Sequence, residues 1–268
     1  MSEAGHALVV GAGEYRIRFV EQIAGDDVVL MAFEDPAPRY AVLAGAGAAA
    51  GEAGEILDVV LLPPSGASPG MQAEAGQSGI GGEASIFVKY RGVELTWHPG
   101  RAVLQCESDQ ATALLSAVVE FDHYERELRR IEREIADGWA ELEQDKALAF
   151  DVTPADLKRS EAVGTRMNQT FGRRIRFARI EPHLYEPQAT LPAVSRKLGE
   201  ELRAKARIET RLETVDGQIE VFEHIYEMSG QRIGEYRAAR EEHVLEWVII
   251  LLLAAELVLL LAQTVWKR

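Results

Sequence analysis

The stretch Val244-Leu245-Glu246-Trp247-Val248-Ile249-Ile250-Leu251-Leu252-Leu253-Ala254-Ala255-Glu256, continued by Leu257 to Ala262 and Gln263-Thr264-Val265-Trp266-Lys267-Arg268, constrains this chain more than any other. From Val244 to Val265 the run is about 22 residues, which as a helix rises about 33 Å and matches the hydrocarbon core of a bilayer. Apolar side chains occur all round it, so no polar face is left for water. Each Leu, Ile or Val favours insertion by roughly 0.3 to 0.6 kcal/mol, and together they outweigh the roughly 3 kcal/mol cost of one central charge such as Glu256. Trp247 and Trp266 stand near the two ends, where interfacial aromatics belong. The spacing therefore predicts a transmembrane helix over residues 244–266.

Across the 268 residues 47% are hydrophobic, enough for a packed domain and a second helical unit besides the anchor. The net charge of −14 argues against a protein that coats nucleic acid or anionic lipid over its whole surface. The single cysteine, Cys106, excludes an intramolecular disulfide and a thiolate metal cage, and is read as a buried strand residue in a reducing compartment. Met1 to His6 carry neither a basic n-region nor the start of an apolar h-region. The expectation is a single-pass membrane protein with its N-terminal domain in the cytoplasm.

The class expected is α+β. Residues 1–107 read as a β-rich domain of short strands, Ala7 to Val10, Tyr15 to Val20, Val28 to Phe33, Tyr40 to Leu43 and Ile56 to Leu62. A flexible insert follows over 63–82, and then a meander through Ser85 to Tyr90, Val93 to Trp97 and Ala102 to Cys106. From Ser108 the period changes to three and four: Leu114, Ala117, Phe121, Tyr124, Leu128, Ile131, Ile135 and Leu142 form a heptad seam. Thr153-Pro154-Ala155-Asp156 announces a second, short helix carrying Leu157, Val163, Met167 and Phe171, with regular structure ending at Pro182. Pro192 opens a last helix whose seam holds Ile208, Leu212, Val215, Ile219, Phe222, Tyr226, Ile233 and Tyr236 and which runs on into the membrane. Residues 108–243 are thus a coiled-coil-like region in which the first and last long helices pack antiparallel.

Motifs for catalysis are weak. Gly45-Ala46-Gly47-Ala48-Ala49-Ala50-Gly51 lacks the following amphipathic helix of a nucleotide loop. Glu120 and His123 make one Glu-x-x-His, but a di-iron bundle needs two; the heptad frame puts His123 outside and Glu120 beside the seam, as solvated side chains. No catalytic residue, metal ligand or cofactor is assigned. Between Lys158 and Arg179 lie seven basic residues and one acid, with Arg166, Arg173, Arg174, Arg176 and Arg179 as its core. This basic patch contacts phosphates, of RNA or of lipid head groups, or else pairs with acidic faces of the neighbouring long helices. Glu256 and Gln263 share one stripe of the membrane helix, which points to self-association through hydrogen-bonded side chains, with Glu246 and Trp247 at the membrane boundary.

Leu245-Glu246-Trp247-Val248-Ile249-Ile250-Leu251-Leu252-Leu253-Ala254-Ala255-Glu256 resembles the C-terminal signature of the "required for meiotic nuclear division" family, membrane-anchored proteins of largely unknown function. Phe87 to Trp97 is similar to that family's strand, Tyr-Gly turn and aromatic-ended strand, and Val163-Gly164 is a third match. The chain departs from it at Glu181-Pro182-His183-Leu184-Tyr185, where the family shows Asp-Thr-Pro, aromatics and a Trp. The resemblance implies a homo-oligomeric inner-membrane protein, a mitochondrial relative that supports translation near the membrane, and no catalytic residues. The expected function is a non-enzymatic, membrane-anchored oligomeric scaffold or tether, linking a translation-related partner such as a ribosomal assembly to the membrane. The alternatives are a divalent-cation channel or transporter, whose known relatives have two spans and a Gly-Met-Asn signature lacking here, and an enzyme of unknown class.

Overall fold

The computed structural model describes residues 11–25, 27–43, 56–64 and 85–266, with the side chains of 258 and 260–266 left aside. Two compact units divide the chain, 1–134 with 173–217, and 135–172 with 218–268.

The first unit holds one seven-stranded sheet: β1 (Gly13–Val20), β2 (Val28–Phe33), β3 (Arg39–Leu43), β4 (Ile56–Leu62), β5 (Ile86–Tyr90), β6 (Val93–His98) and β7 (Arg101–Gln105), in the order β2-β3-β1-β4-β7-β6-β5. Every neighbouring pair is antiparallel except β4 and β7, which run parallel with Val60 opposite Val103. Period-two alternation sends Ile17, Phe19, Leu57, Val59, Leu61, Val93, Leu95, Trp97, Ala102 and Leu104 to the buried face. The expected strands from Tyr15 to Leu62 and through the meander are therefore found, within one or two residues at their ends. Ala7 to Val10, the glycine run at 45–51 and all of the insert beyond Pro64 lie outside the described residues. Cys106 is buried just past β7, its N–H donating to the Leu62 carbonyl at 3.1 Å.

Four α-helices follow, α1 (Ala111–Asp145), α2 (Ser160–Tyr185), α3 (Ala193–Lys205) and α4 (Ile208–Trp266). In the first unit α1 lies on the sheet, with Trp97 edge-on to Phe121 at 5.0 Å and Phe33 edge-on to Tyr124 at 5.7 Å. The seam residues Leu114, Ala117, Phe121, Tyr124, Leu128 and Ile131 are buried there, as are Ile208, Leu212 and Val215 of α4. In the second unit Ile135, Leu142, Ile219, Phe222, Tyr226 and Ile233 are buried, with Trp139 edge-on to Phe222 at 5.0 Å.

Three expectations are corrected. The first and last long helices are parallel, not antiparallel. In the first unit Glu120 is near Arg203 of α3, and Glu125 and Glu132 bind Arg211 of α4, so both chains advance together. Tyr124 stacks on His183 while Glu134 meets Arg176, so α2 runs antiparallel to α1. The second unit repeats the pattern, with Glu141 bound by Arg166 and Ser160 by Arg237. The physical reason is the connection: the expected short helix is a 26-residue helix, long enough to carry the chain back before the last helix starts.

Secondly, α2 continues through Pro182 to Tyr185, because a proline in the last turn deprives only the Ala178 carbonyl of its donor. Its buried residues also differ from the expected stripe: Val163, Thr170, Arg173, Phe177, Ile180 and Leu184 are buried, while Phe171 is exposed. Thirdly, the last helix does not start at Pro192 and run unbroken. It is cut at Ala206-Arg207, where Arg207 adopts φ 51° and its carbonyl accepts from the Arg211 N–H at 3.1 Å to begin α4.

The β6–β7 turn supplies a local test. Gly100 has φ +76°, and a Cβ there would meet the Ile56 carbonyl oxygen at 3.3 Å, while its own carbonyl accepts from the Asp58 N–H at 3.0 Å. Gly100→Ala is expected to cost about 1–2 kcal/mol in urea unfolding, since a left-handed residue and a close backbone approach coincide. Gly217→Ala, on a helix with nothing within 4 Å of the added Cβ, is expected to be neutral or stabilising in the same assay.

Candidate functional site

From Val244 onward α4 presents apolar side chains to its surroundings on every side. Val244, Leu245, Trp247, Val248, Ile249, Ile250, Leu251, Leu252, Leu253, Leu257 and Leu259 are each 47% to 66% exposed. Successive residues advance by about 100° around a helix, so an unbroken run from Val248 to Leu253 covers its whole circumference. The indole N–H of Trp247 donates to His243 Nε2 at 3.2 Å, and Glu246 lies 3.4 Å from His243 Nδ1, giving a polar collar just below the run. Glu256 is exposed; the side chains of Gln263 and Trp266 lie outside the description. Among the described residues no helix is long and apolar enough to cross a membrane, and the described side chains of α4 end at Leu259.

The basic patch is neutralised within the chain. In the first unit Arg176 forms a two-pronged pair with Glu134, its Nη1 at 2.8 Å from Oε1, and Arg173 reaches the same carboxylate at 3.8 Å. Arg174 pairs with Asp216, and Arg179 donates to Asp35 at 2.7 Å. In the second unit Arg166 bridges Glu141, at 3.2 Å, and the buried Asp145, which Arg159 also binds at 2.5 Å. Hydrogen bonds and attraction from Glu134 raise the Arg176 guanidinium above its usual range. For Arg166, burial acts downward but the Asp145 bond and charge outweigh it. Of the two readings of this patch, the pairing one is the geometry observed.

Sequence reasoning missed a buried polar layer on α1 in the first unit. Glu120 and His123, expected in solvent, are 0% and 1% exposed. Seam residues meet both layers, Phe121 against Trp97 of the sheet and Tyr124 against Phe33 and against His183 of α2, while off the seam Asp122 and His123 meet the sheet and Glu120 and Glu125 meet α3 and α4, so this helix has almost no solvated face between Leu114 and Leu128. The signal was legible: Leu115, Val118 and Val119 lie off the seam, on a second apolar stripe that Asp122, His123 and Arg126 continue at helical spacing.

Each charge in this layer is paired. Asp122 accepts from the Trp97 indole at 3.1 Å, the Gly100 N–H at 3.4 Å and Arg126 at 2.5 Å. Burial nonetheless keeps its carboxyl above the usual range. Glu125 is held by Arg129 at 2.6 Å and Arg211 at 2.9 Å, and Arg211 forks onto Glu132 at 2.8 and 2.7 Å. Glu120 accepts the Gln188 N–H at 3.0 Å and faces Arg203 at 3.6 Å, and burial raises its carboxyl. Glu120 Oε2 and Arg203 Nε are buried without a hydrogen-bond partner among the described residues.

The ring of His123 is stacked on Phe33 at 3.9 Å and Phe19 at 5.5 Å, its Nε2 lying 3.3 Å from the Asp35 carbonyl oxygen. The Tyr124 hydroxyl is pushed up by burial and then by Glu120, so it stays protonated. Burial likewise raises the Cys106 thiol, which disfavours the thiolate a nucleophile needs. Among the described residues no group of three or more His, Cys, Asp or Glu is arranged to hold a metal ion. The layer locks α1 between sheet and helices; it does not assemble a nucleophile with a base.

No protein-family model, curated protein or solved structure matches this chain. The apolar stretch of α4 therefore stands as the candidate site on its geometry.

Asp35 offers a pH test of how the sheet domain is tied to α2. Burial would raise its carboxyl, but hydrogen bonds from Arg179 and His183 outweigh that and hold it below the usual carboxylate range. A depressed carboxyl contributes stability that is present above its unfolded-state value, about pH 4, and is lost as pH falls through the lower folded-state value. Asp35→Asn is expected to lower stability by about 1 kcal/mol at pH 7, for a partly exposed pair. Urea unfolding at successive pH values should show the two proteins converge below about pH 4; a pH-independent gap would contradict this linkage.

Proposed function

We propose that this chain is a non-enzymatic, membrane-anchored scaffold or tether that acts as a homo-oligomer, with α4 as its single anchor in the inner (cytoplasmic) membrane. The observation that carries this reading is the girdle of eleven exposed large apolar side chains between Val244 and Leu259. Leaving one such side chain in water rather than burying it costs roughly 1.5–3 kcal/mol, so this surface calls for a cover of apolar solvent. A hydrocarbon core supplies it on all sides of one helix. The length of the sequence run to Val265 and its similarity to the C-terminal signature of the "required for meiotic nuclear division" family support the same reading.

Oligomerisation is the second part of the proposal. Glu256 and Gln263 lie seven residues apart, on one stripe, and a carboxylate facing acyl chains is costly. A neighbouring copy offers Glu256 a hydrogen-bond partner, protonated or paired with Gln263. The partner tethered by the N-terminal unit, a translation-related assembly by the family resemblance, would have to displace acidic partners from the arginine patch or bind elsewhere.

A chain ending at Arg240 is expected to leave the membrane fraction after a high-salt wash, while the full chain stays. Retention of the truncated chain would defeat the single-anchor reading. Glu256→Leu is expected to insert normally and to shift the detergent-solubilised protein toward monomer in light scattering. A wild-type monomer would remove the oligomer, and an oligomer unchanged by the substitution would remove the role of Glu256.

A further inference from the structure

In the unit formed by 135–172 and 218–268, a groove of about 600 Å³ opens at the foot of the apolar stretch of α4, lined by Leu157, Arg237, Arg240, Glu241, Val244 and Leu245. The five residues from α4 recur at intervals of three and four, so they form one face of that helix. Leu157 comes from a separate element, the 3-10 turn Asp156–Arg159. The groove thus has two chemistries: an apolar end where Val244 and Leu245 begin the exposed run, and a charged end one to two turns earlier.

The charged end holds both signs. Arg237 donates to Ser160 Oγ and keeps further N–H groups for another acceptor. Neither Arg240 nor Glu241 has a hydrogen-bond or ion-pair partner among the described residues. The other charges close by on these elements are already engaged or lie outside the groove: Arg159 is held by Asp145, and Glu246 lies against His243. An anionic ligand alone would leave Glu241 facing it; a cationic one would meet two guanidiniums. A ligand carrying phosphate and ammonium together satisfies all three.

The geometry points to this groove as the binding site of one phospholipid headgroup bearing a free amine, of the phosphatidylethanolamine class. Its phosphodiester is held by Arg237 and Arg240, its ammonium by Glu241, and its acyl chains continue along Val244, Leu245 and Leu157. Depth supports this occupant over a water-soluble phosphate. The arginines stand one and two helical turns before the first exposed apolar residue, the level at which phosphates lie when that residue enters hydrocarbon. The inference rests on α4 being the bilayer anchor.

The test uses the full chain, reconstituted in vesicles of phosphatidylcholine alone or mixed with phosphatidylethanolamine or with phosphatidylglycerol, then released and weighed with its retained lipid by native mass spectrometry. The wild type is expected to retain one phosphatidylethanolamine in preference to either other lipid. Arg240→Ala, which removes no hydrogen bond or ion pair among the described residues, is expected to weaken retention about fivefold, the factor carried by one basic residue near a membrane surface. Arg237→Ala together with Arg240→Ala should abolish it. Glu241→Gln should erase the preference over phosphatidylglycerol while keeping a bound lipid. Equal retention of all three lipids by the wild type, or retention unaltered in the double variant, overturns the headgroup site and leaves the anchor standing. Failure of the full chain to enter vesicles of any composition overturns the anchor reading itself, and with it this inference.

Discussion

The structure of the first unit depends on the burial of α1 from both sides. Between Leu114 and Leu128 this helix is enclosed by the sheet and by the other helices, its seam residues meeting both, and it carries buried carboxylates toward each of them. Taking those charges out of water costs several kcal/mol each, so the fold is stable only where every one finds a cation or donor close by. The partners come from four directions: Trp97 and Gly100 from the β-meander, Arg126 and Arg129 from α1 itself, Arg203 from α3 and Arg211 from α4. This ionic layer fixes which strand, which turn and which helix lie against which level of α1. An all-apolar interface would tolerate slippage by a turn more readily.

Charge pairing also explains why the long helices take their order. A 26-residue α2 returns the chain, and its arginines meet Glu134 and Asp216 in one unit and Glu141 and Asp145 in the other. The dense basic run between Lys158 and Arg179 is thereby the complement of the acidic faces beside it, in a chain whose net charge is −14. Such pairs, partly exposed, contribute little stability singly, but mispairing would set like charges against one another and so selects the arrangement. Functional interest then moves from the patch to α4 beyond Arg240, where the apolar surface has no cover among the described residues.

Much of this was legible from spacing. The period-two runs from Tyr15 to Leu62 and from Ile86 to Gln105 are strands, and the heptad residues Leu114 to Ile131 and Ile208 to Val215 are buried. Both patterns follow from backbone geometry, which fixes which side chains share a face before any tertiary contact exists. The apolar girdle from Val244 was legible for the same reason. Two local readings failed. Pro182 did not end its helix, and no sequence signal marked the left-handed Arg207 that separates α3 from α4, since glycine or asparagine usually occupies such a position.

The sequence by itself determined the elements, their apolar faces and the apolar run from Val244, because these are properties of neighbours three, four or two residues apart. Only the tertiary structure decided which polar side chains are buried and how the helices run. Asp35 meets Arg179 across 144 residues, and Glu132 meets Arg211 across 79. Such pairings depend on distant partners that no local period encodes. A glutamate and a histidine on the outer side of a seam look solvated until distant segments close over them, as Gln188 and Arg203 do over Glu120 and the sheet does over His123.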